Sequence, residues 1–308
     1  MLSRVAIAAL SVICMLIILS ATLNHSELTT VTSSMPASGV DIKSVASSSV
    51  VDLIEEDVSK FTKDCIRAKL IPIETLHAEL DFRPDWAVKE GYDVEDRSYI
   101  LPFLLGDKID TTKFSRRVYI DIGSNEWTTS YKWQLDNNPV DFDEYHLFES
   151  AYLTGLPSDE ELGNVIINSP ARAQRHFPKI TESAESIGKS LRERTFVHNV
   201  LVGLKDDQST SPRTLNITRY LYEVARIHEK GTYVTVKFDI EGHEWEIIPS
   251  WEKDGTFDHI HELFMEVHYG DSPRLSPFGW DNFSGKRQDA EEMFKRLREQ
   301  GVQAHAWP

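Results

Sequence analysis

Arg117-Val118-Tyr119-Ile120-Asp121-Ile122-Gly123-Ser124-Asn125 is the stretch on which the reading of this 308-residue chain turns. Val118, Tyr119, Ile120 and Ile122 form a short β-branched and aromatic run, the pattern of a buried strand. The run stops at Gly123 and small polar residues, where the chain can turn tightly and leave backbone N–H groups for a ligand. Asp121 stands at the carboxyl end of that strand. Ligands of open α/β sheets bind just outside such ends. Two further acids end later strands, Glu149 after Tyr145–Phe148 and Asp239 within Thr232–Ile240.

Outward from this stretch, apolar runs alternate with helical patterns. A short helix is expected around Thr129–Leu135, and the polar stretch Tyr152–Ser190 reads as loops. A strand follows at Thr195–Val202 and a helix at Asn216–His228. After Thr232–Ile240 comes a helix or turn at His243–Ile248, limited by Pro249. A strand over Ile260–His268, a helix over Asp289–Gln300 stopped by Gly301 and a strand over Val302–Trp307 complete the series. Such alternation predicts an α/β fold, a doubly wound and mostly parallel sheet covered on both faces.

Upstream, Val5–Leu23 is almost unbroken apolar sequence preceded by Arg4, with no further Lys or Arg until Lys43. Roughly 17–25 such residues span a bilayer, and the basic flank marks the cytoplasmic side. Residues 1–25 therefore read as a signal anchor, with a cleaved signal peptide as the competing reading. Residues 26–50 are a Ser/Thr-rich disordered stem. Residues 51–115 are expected to form a helical cover segment whose first helix ends before Pro72, and residues 116–308 the main α/β domain. The expected location is the Golgi or endoplasmic reticulum, as a single-pass type II protein with its domain lumenal. Asn24, Asn216 and Asn282 begin glycosylation sequons. A net charge of −16 argues against nucleic acid as a partner. The two cysteines, Cys14 and Cys65, exclude a cysteine zinc site, and Cys65 reads as a buried thiol or an interchain partner.

Three acidic strand ends thus share one edge. Glu149 lies 26 positions beyond Gly123, near the spacing at which dinucleotide folds place an acid on ribose hydroxyls. Glu126 interrupts the G-x-G-x-x-G pattern, which disfavours a pyrophosphate and favours a phosphate-free nucleoside. Alternation sets Lys237, Asp239 and Glu241 on one side of their strand, and three ionisable groups do not share a dry core without partners. Glu262, Glu266 and His268 end the neighbouring strand. His268 is either a proton acceptor or a hydrogen-bonded wall residue. A metal on Asp239, Glu241, Glu266 and His268 is chemically allowed, but none is expected.

The segments VYIDIGSNEWTTS, LFES and VKFDIEGHEWEIIP resemble the FkbM-type methyltransferases, which are class I and S-adenosylmethionine-dependent. The resemblance rests on Asp121, Gly123 and Asn125, then on Lys237, Asp239, Glu241, Gly242 and Glu244, and spans about Arg117 to His268. HELFMEVHYG and the anchored N-terminus resemble a membrane-anchored branch of that family. The resemblance implies a Rossmann-like domain and O-methylation of a small-molecule or glycan hydroxyl. Asp121, Gly123, Ser124 and Asn125 would hold the methionine part of the cofactor and Glu149 its ribose. Asp239 and Glu241 would border the acceptor, with His268 as base. A Golgi glycosyltransferase carrying Asp141-Phe142-Asp143 as its D-x-D motif, or a non-catalytic lumenal protein on the same scaffold, are the alternatives.

Overall fold

The computed structural model describes residues 58–76, 97–150, 155–174, 180–270 and 283–307. The expected anchor and stem lie outside these residues, as do the first residues of the cover segment. Among the described residues no helix is long and apolar enough to cross a membrane.

Among the described residues eight strands run β1 (Arg116–Ile122), β2 (Glu144–Glu149), β3 (Thr195–Asn199), β4 (Leu201–Gly203), β5 (Thr214–Asn216), β6 (Thr232–Phe238), β7 (Glu262–Met265) and β8 (Gln303–Ala306). Six of them form one sheet in the order β3-β2-β1-β6-β7-β8, and every pairing in it is parallel. β4 and β5 make a separate parallel pair. In chain order the large sheet is therefore wound 3-2-1-4-5-6. The direction of winding reverses between β1 and β6, the crevice where open α/β sheets bind their ligands.

Both faces of the sheet are covered. Val118, Ile120 and Ile122 of β1 and Val234, Val236 and Phe238 of β6 point to one core. They meet α6 (Ile217–Glu223), α7 (Glu244–Asp254) and α8 (Arg287–Glu299) through Leu221, Ile247, Trp251 and Phe294. Tyr119 and Tyr233 point to the opposite core. That core is closed by α1 (residues 58–67), α2 (Ser130–Asn137), α3 (Asp159–Asn168), the short α4 (Pro170–Gln174) and α5 (Ala184–Glu193). Alternate residues of a strand face opposite ways, so one parallel strand serves both cores. From the cover segment, Ile100 and Leu104 pack on Phe264 and Trp307 over the β7–β8 side.

Several expectations need correction. The stretch read as loops at Tyr152–Ser190 holds α3, α4 and most of α5. Ser158 caps α3 reciprocally with Glu161, an S-x-x-E signature that precedes an amphipathic run. The strand expected over Thr195–Val202 breaks at Val200, because its second half pairs with β5 and leaves the large sheet. The helix expected to reach His228 ends at Glu223, and Val224 is exposed. Pro249 lies inside α7 instead of limiting it. The helix continues because burial of Ile247, Ile248 and Trp251 on its inner face outweighs one missing N–H bond. Cys65 is buried and disulfide-bonded, not a free thiol.

Candidate active site

The turn after β1 is made by its backbone. Gly123 adopts φ +84 and Asn125 φ 53, both in the left-handed region that costs ordinary side chains energy. A Cβ on residue 123 would stand 1.6 Å from the carbonyl oxygen of Asp239. The tips of β1 and β6 therefore touch, and only glycine fits between them. The N–H groups of Gly123 and Ser124 both donate to Phe148 O, at 2.9 and 3.0 Å. The Asn125 N–H donates to Glu149 Oε2 at 2.9 Å, which links the turn to the acid at the tip of β2.

Lys237 lies beneath this turn, buried. Its ammonium donates to the Gly123 carbonyl and to Asp239 Oδ2 at 3.0 Å, and stands 3.8 Å from Asp121 Oδ1. Burial works against the charged lysine, but Asp239 and Asp121 outweigh it and hold its pKa above the ordinary value. Asp121 is fully buried. Its Oδ2 accepts from Ser130 Oγ at 2.6 Å and from Tyr119 OH at 3.0 Å. Burial raises its pKa against the pull of Lys237. Ser124 is also buried.

The residues expected at a cofactor thus divide in two. Asp121 and Ser124 build the turn from inside, whereas Asn125 and Glu149 reach the rim. The loop after β6 turns through consecutive left-handed residues, Glu241 at φ 54 and Gly242 at φ 97. The turn leaves the Glu241 side chain 80% exposed.

His268 is buried behind this rim, among carboxylates. Its Nδ1 is 3.0 Å from Glu244 Oε1. Its Nε2 is 3.3 Å from Glu241 Oε2, 3.8 Å from Glu266 Oε1 and 3.9 Å from Asp239 Oδ1. Burial disfavours the charged ring, but the bond to Glu244 and the charges of Glu266, Glu244 and Asp239 prevail and push its pKa up to about 9. The ring is therefore protonated at neutral pH and accepts a proton only above that value. Asp239, Glu241, Glu266 and His268 come together as expected from their strand ends. Glu262 does not. It begins β7 at the far end of the sheet, between Tyr233 OH at 3.1 Å and His305 at 3.2 Å.

Glu244, a position of the second motif, sets the orientation of His268 while its Oε1 also accepts the Ile240 N–H at 3.0 Å. The signal that could have found it is its place on the first turn of a helix that follows a glycine turn. Trp245 fixes the same residue from the other side, its Nε1 donating to His268 O at 2.7 Å. The D-x-D pair lies away from all of this, just before β2 at the opposite end of the sheet. Asp143 accepts twice from the Arg117 guanidinium, at 3.0 and 2.9 Å, and Asp141 pairs with Arg172 and Arg194. No protein-family model, curated protein or solved structure matches this chain.

Proposed function

We propose that this chain is an S-adenosylmethionine-dependent O-methyltransferase acting on a sugar or glycan hydroxyl in the secretory pathway, held at the membrane by its N-terminal segment. The observation that carries this reading is the acidic crest at the β1–β6 reversal. There the Gly123–Asn125 turn rests on Glu149 on one side and on the tip of β6 on the other. A carboxylate at the tip of β2 suits the vicinal diol of a ribose, which donates two hydrogen bonds. A rim lined by Glu149, Asp239 and Glu241 attracts a sulfonium cation and repels a pyrophosphate. The ion-paired Asp141 and Asp143, at the other end of the sheet, give no support to the nucleotide-sugar alternative.

S-adenosylmethionine, when bound, supplies a methyl group bonded to a positively charged sulfur. The protein's task is to orient two substrates and to take one proton. Glu149 holds the ribose, and the main chain of Gly123, Ser124 and Asn125 shapes the seat for the methionine part. Asp239 and Glu241 border the acceptor. The proton-accepting role expected of His268 passes in this reading to Glu241, because a ring already protonated at neutral pH holds carboxylates in place. Glu241 is the exposed member of the group.

The test is calorimetric titration of the full chain in detergent with S-adenosylhomocysteine, and in parallel with a UDP-sugar in the presence and absence of Mn2+. Binding of S-adenosylhomocysteine, weakened at least tenfold by Glu149→Ala, is the expected result, since a charge-assisted hydrogen bond contributes about 1.5–3 kcal/mol. No binding of it, with a UDP-sugar bound more tightly than Mn2+ alone explains, would reverse the assignment.

A further inference from the structure

We propose that Asp239, Glu266 and His268 form a binding site for one hard divalent cation of the Mn2+ and Mg2+ class, at the carboxyl ends of β6 and β7. The site itself does not depend on methyl transfer. Each of the three residues offers one donor atom, and these atoms all lie within 4.8 Å of one another. Nε2 of His268 is 3.9 Å from Asp239 Oδ1 and 3.8 Å from Glu266 Oε1. Donors about 2.1–2.2 Å from an ion stand roughly 3–3.6 Å apart at angles of about 90–110°. A contraction of a few tenths of an ångström brings Nε2 to bonding geometry with each carboxylate, and the two carboxylates, within 4.8 Å of each other, close by about 1 Å or less through side-chain rotation. Two carboxylates and one imidazole, without sulfur, make an oxygen-rich donor group that accommodates Mn2+, with metal availability and not intrinsic affinity setting the choice against Zn2+.

A second feature also points to a cation. Imidazoles that ligate metals commonly place the other ring nitrogen on a carboxylate, which fixes the ring and raises its basicity. Glu244 stands in that position, 3.0 Å from Nδ1 and fully buried. Its Oε2 is buried with no hydrogen-bond partner among the described residues. Nε2 faces Asp239, Glu241 and Glu266 together. Among the described residues four carboxylates stand within 4 Å of this imidazole, and Lys237 pairs with the other oxygen of Asp239, Oδ2, at 3.0 Å. Proton and metal would compete for the same lone pair of Nε2.

The donors are also held in advance of any ion. Asp239 N donates to Ile122 O at 2.9 Å, and Glu266 N donates to Phe238 O at 2.9 Å. These bonds extend the parallel ladders one residue past β6 and β7. Trp245 holds the His268 carbonyl at 2.7 Å. Rigid strand ends of this kind make better metal ligands than mobile loops. If the methyltransferase reading holds, the ion sits beside Glu241 and can draw in the acceptor hydroxyl and lower its pKa.

The experiment uses the full chain in detergent, freed of metals with a chelator and titrated with Mn2+ by calorimetry and electron paramagnetic resonance. One Mn2+ per chain is expected. Asp239→Asn and Glu266→Gln should each weaken binding at least tenfold. Glu244→Gln should weaken it about 10–100-fold, as outer-shell changes do. Glu126→Gln, an exposed residue outside the site, should leave it unchanged. Spin-echo modulation of the Mn2+-loaded parent protein should carry the 14N coupling of a bound imidazole, which decides the matter even where a variant fails to fold. Absence of stoichiometric binding, binding indifferent to D239N and E266Q, or no 14N coupling would each overturn the proposal. Titration of the metal-free protein with S-adenosylhomocysteine reads the methyltransferase assignment separately.

Discussion

Gly123→Ala tests whether the contact between β1 and β6 organises the site. The added methyl would stand 1.6 Å from Asp239 O, where a carbon–oxygen contact needs about 3.3 Å. The strand tips must then part by about 1.7 Å, against the Asp239 N–H bond to Ile122 O and the Lys237 bond to the Gly123 carbonyl. The left-handed backbone at φ +84 adds roughly 1–2 kcal/mol for any residue with a Cβ. Forced separation in a packed interior costs about 1–3 kcal/mol. Together these predict a loss of about 2–5 kcal/mol. Gly155→Ala is the control, because it also has positive φ (+108) but nothing within 4 Å of its Cβ. The two variants should differ by about 1–3 kcal/mol, or about 3–10 °C in Tm for a domain of this size. Thermal unfolding followed by circular dichroism reads the difference directly. Two variants melting within 1 °C of each other would show that the β1 and β6 tips are not wedged together as described.

Three further outcomes are expected. His305 lies between Glu74 at 2.9 Å and Glu262 at 3.2 Å; burial opposes its charge, but the two acids push its pKa up to about 9. Its contribution, about 3 kcal/mol for a rise from the usual value, is complete below pH 6.5 and falls away as pH rises to about 9, so denaturant titrations should show a decline in that window that His305→Gln flattens. Lys237→Met strips the buried Asp121 of its cation and should cost about 3–5 kcal/mol, with part recovered in the Lys237→Met/Asp121→Asn double variant; a double variant no more stable than the single one would separate the two residues. His268→Ala should leave S-adenosylhomocysteine affinity within about twofold while lowering turnover, and unchanged turnover in a folded variant would remove His268 from the reaction.

The alternation of apolar runs located all six strands of the large sheet, since a strand buried on both faces has little freedom of composition. The break within Thr195–Val202 was not visible, because β4 differs from β3 only in its hydrogen-bond partner, which local sequence does not carry. The helices between Gly155 and Ser190 were legible in principle through Ser158 and Glu161, but polar composition hid them. Pro249 misled for the opposite reason: its local cost is real, and tertiary burial of its neighbours exceeds it.

By itself the sequence determined a βα alternation and the acidic strand ends at Asp121, Glu149 and Asp239, because strand periodicity decides which residues reach an edge. Only the tertiary structure decided what each acid does there. It sealed Asp121 under the turn with Lys237 and Ser130, sent Glu262 to the far end of the sheet, and set Glu244 behind His268. Burial and the distance to a partner charge depend on how the strands are ordered across the sheet, and that order joins residues far apart in the chain.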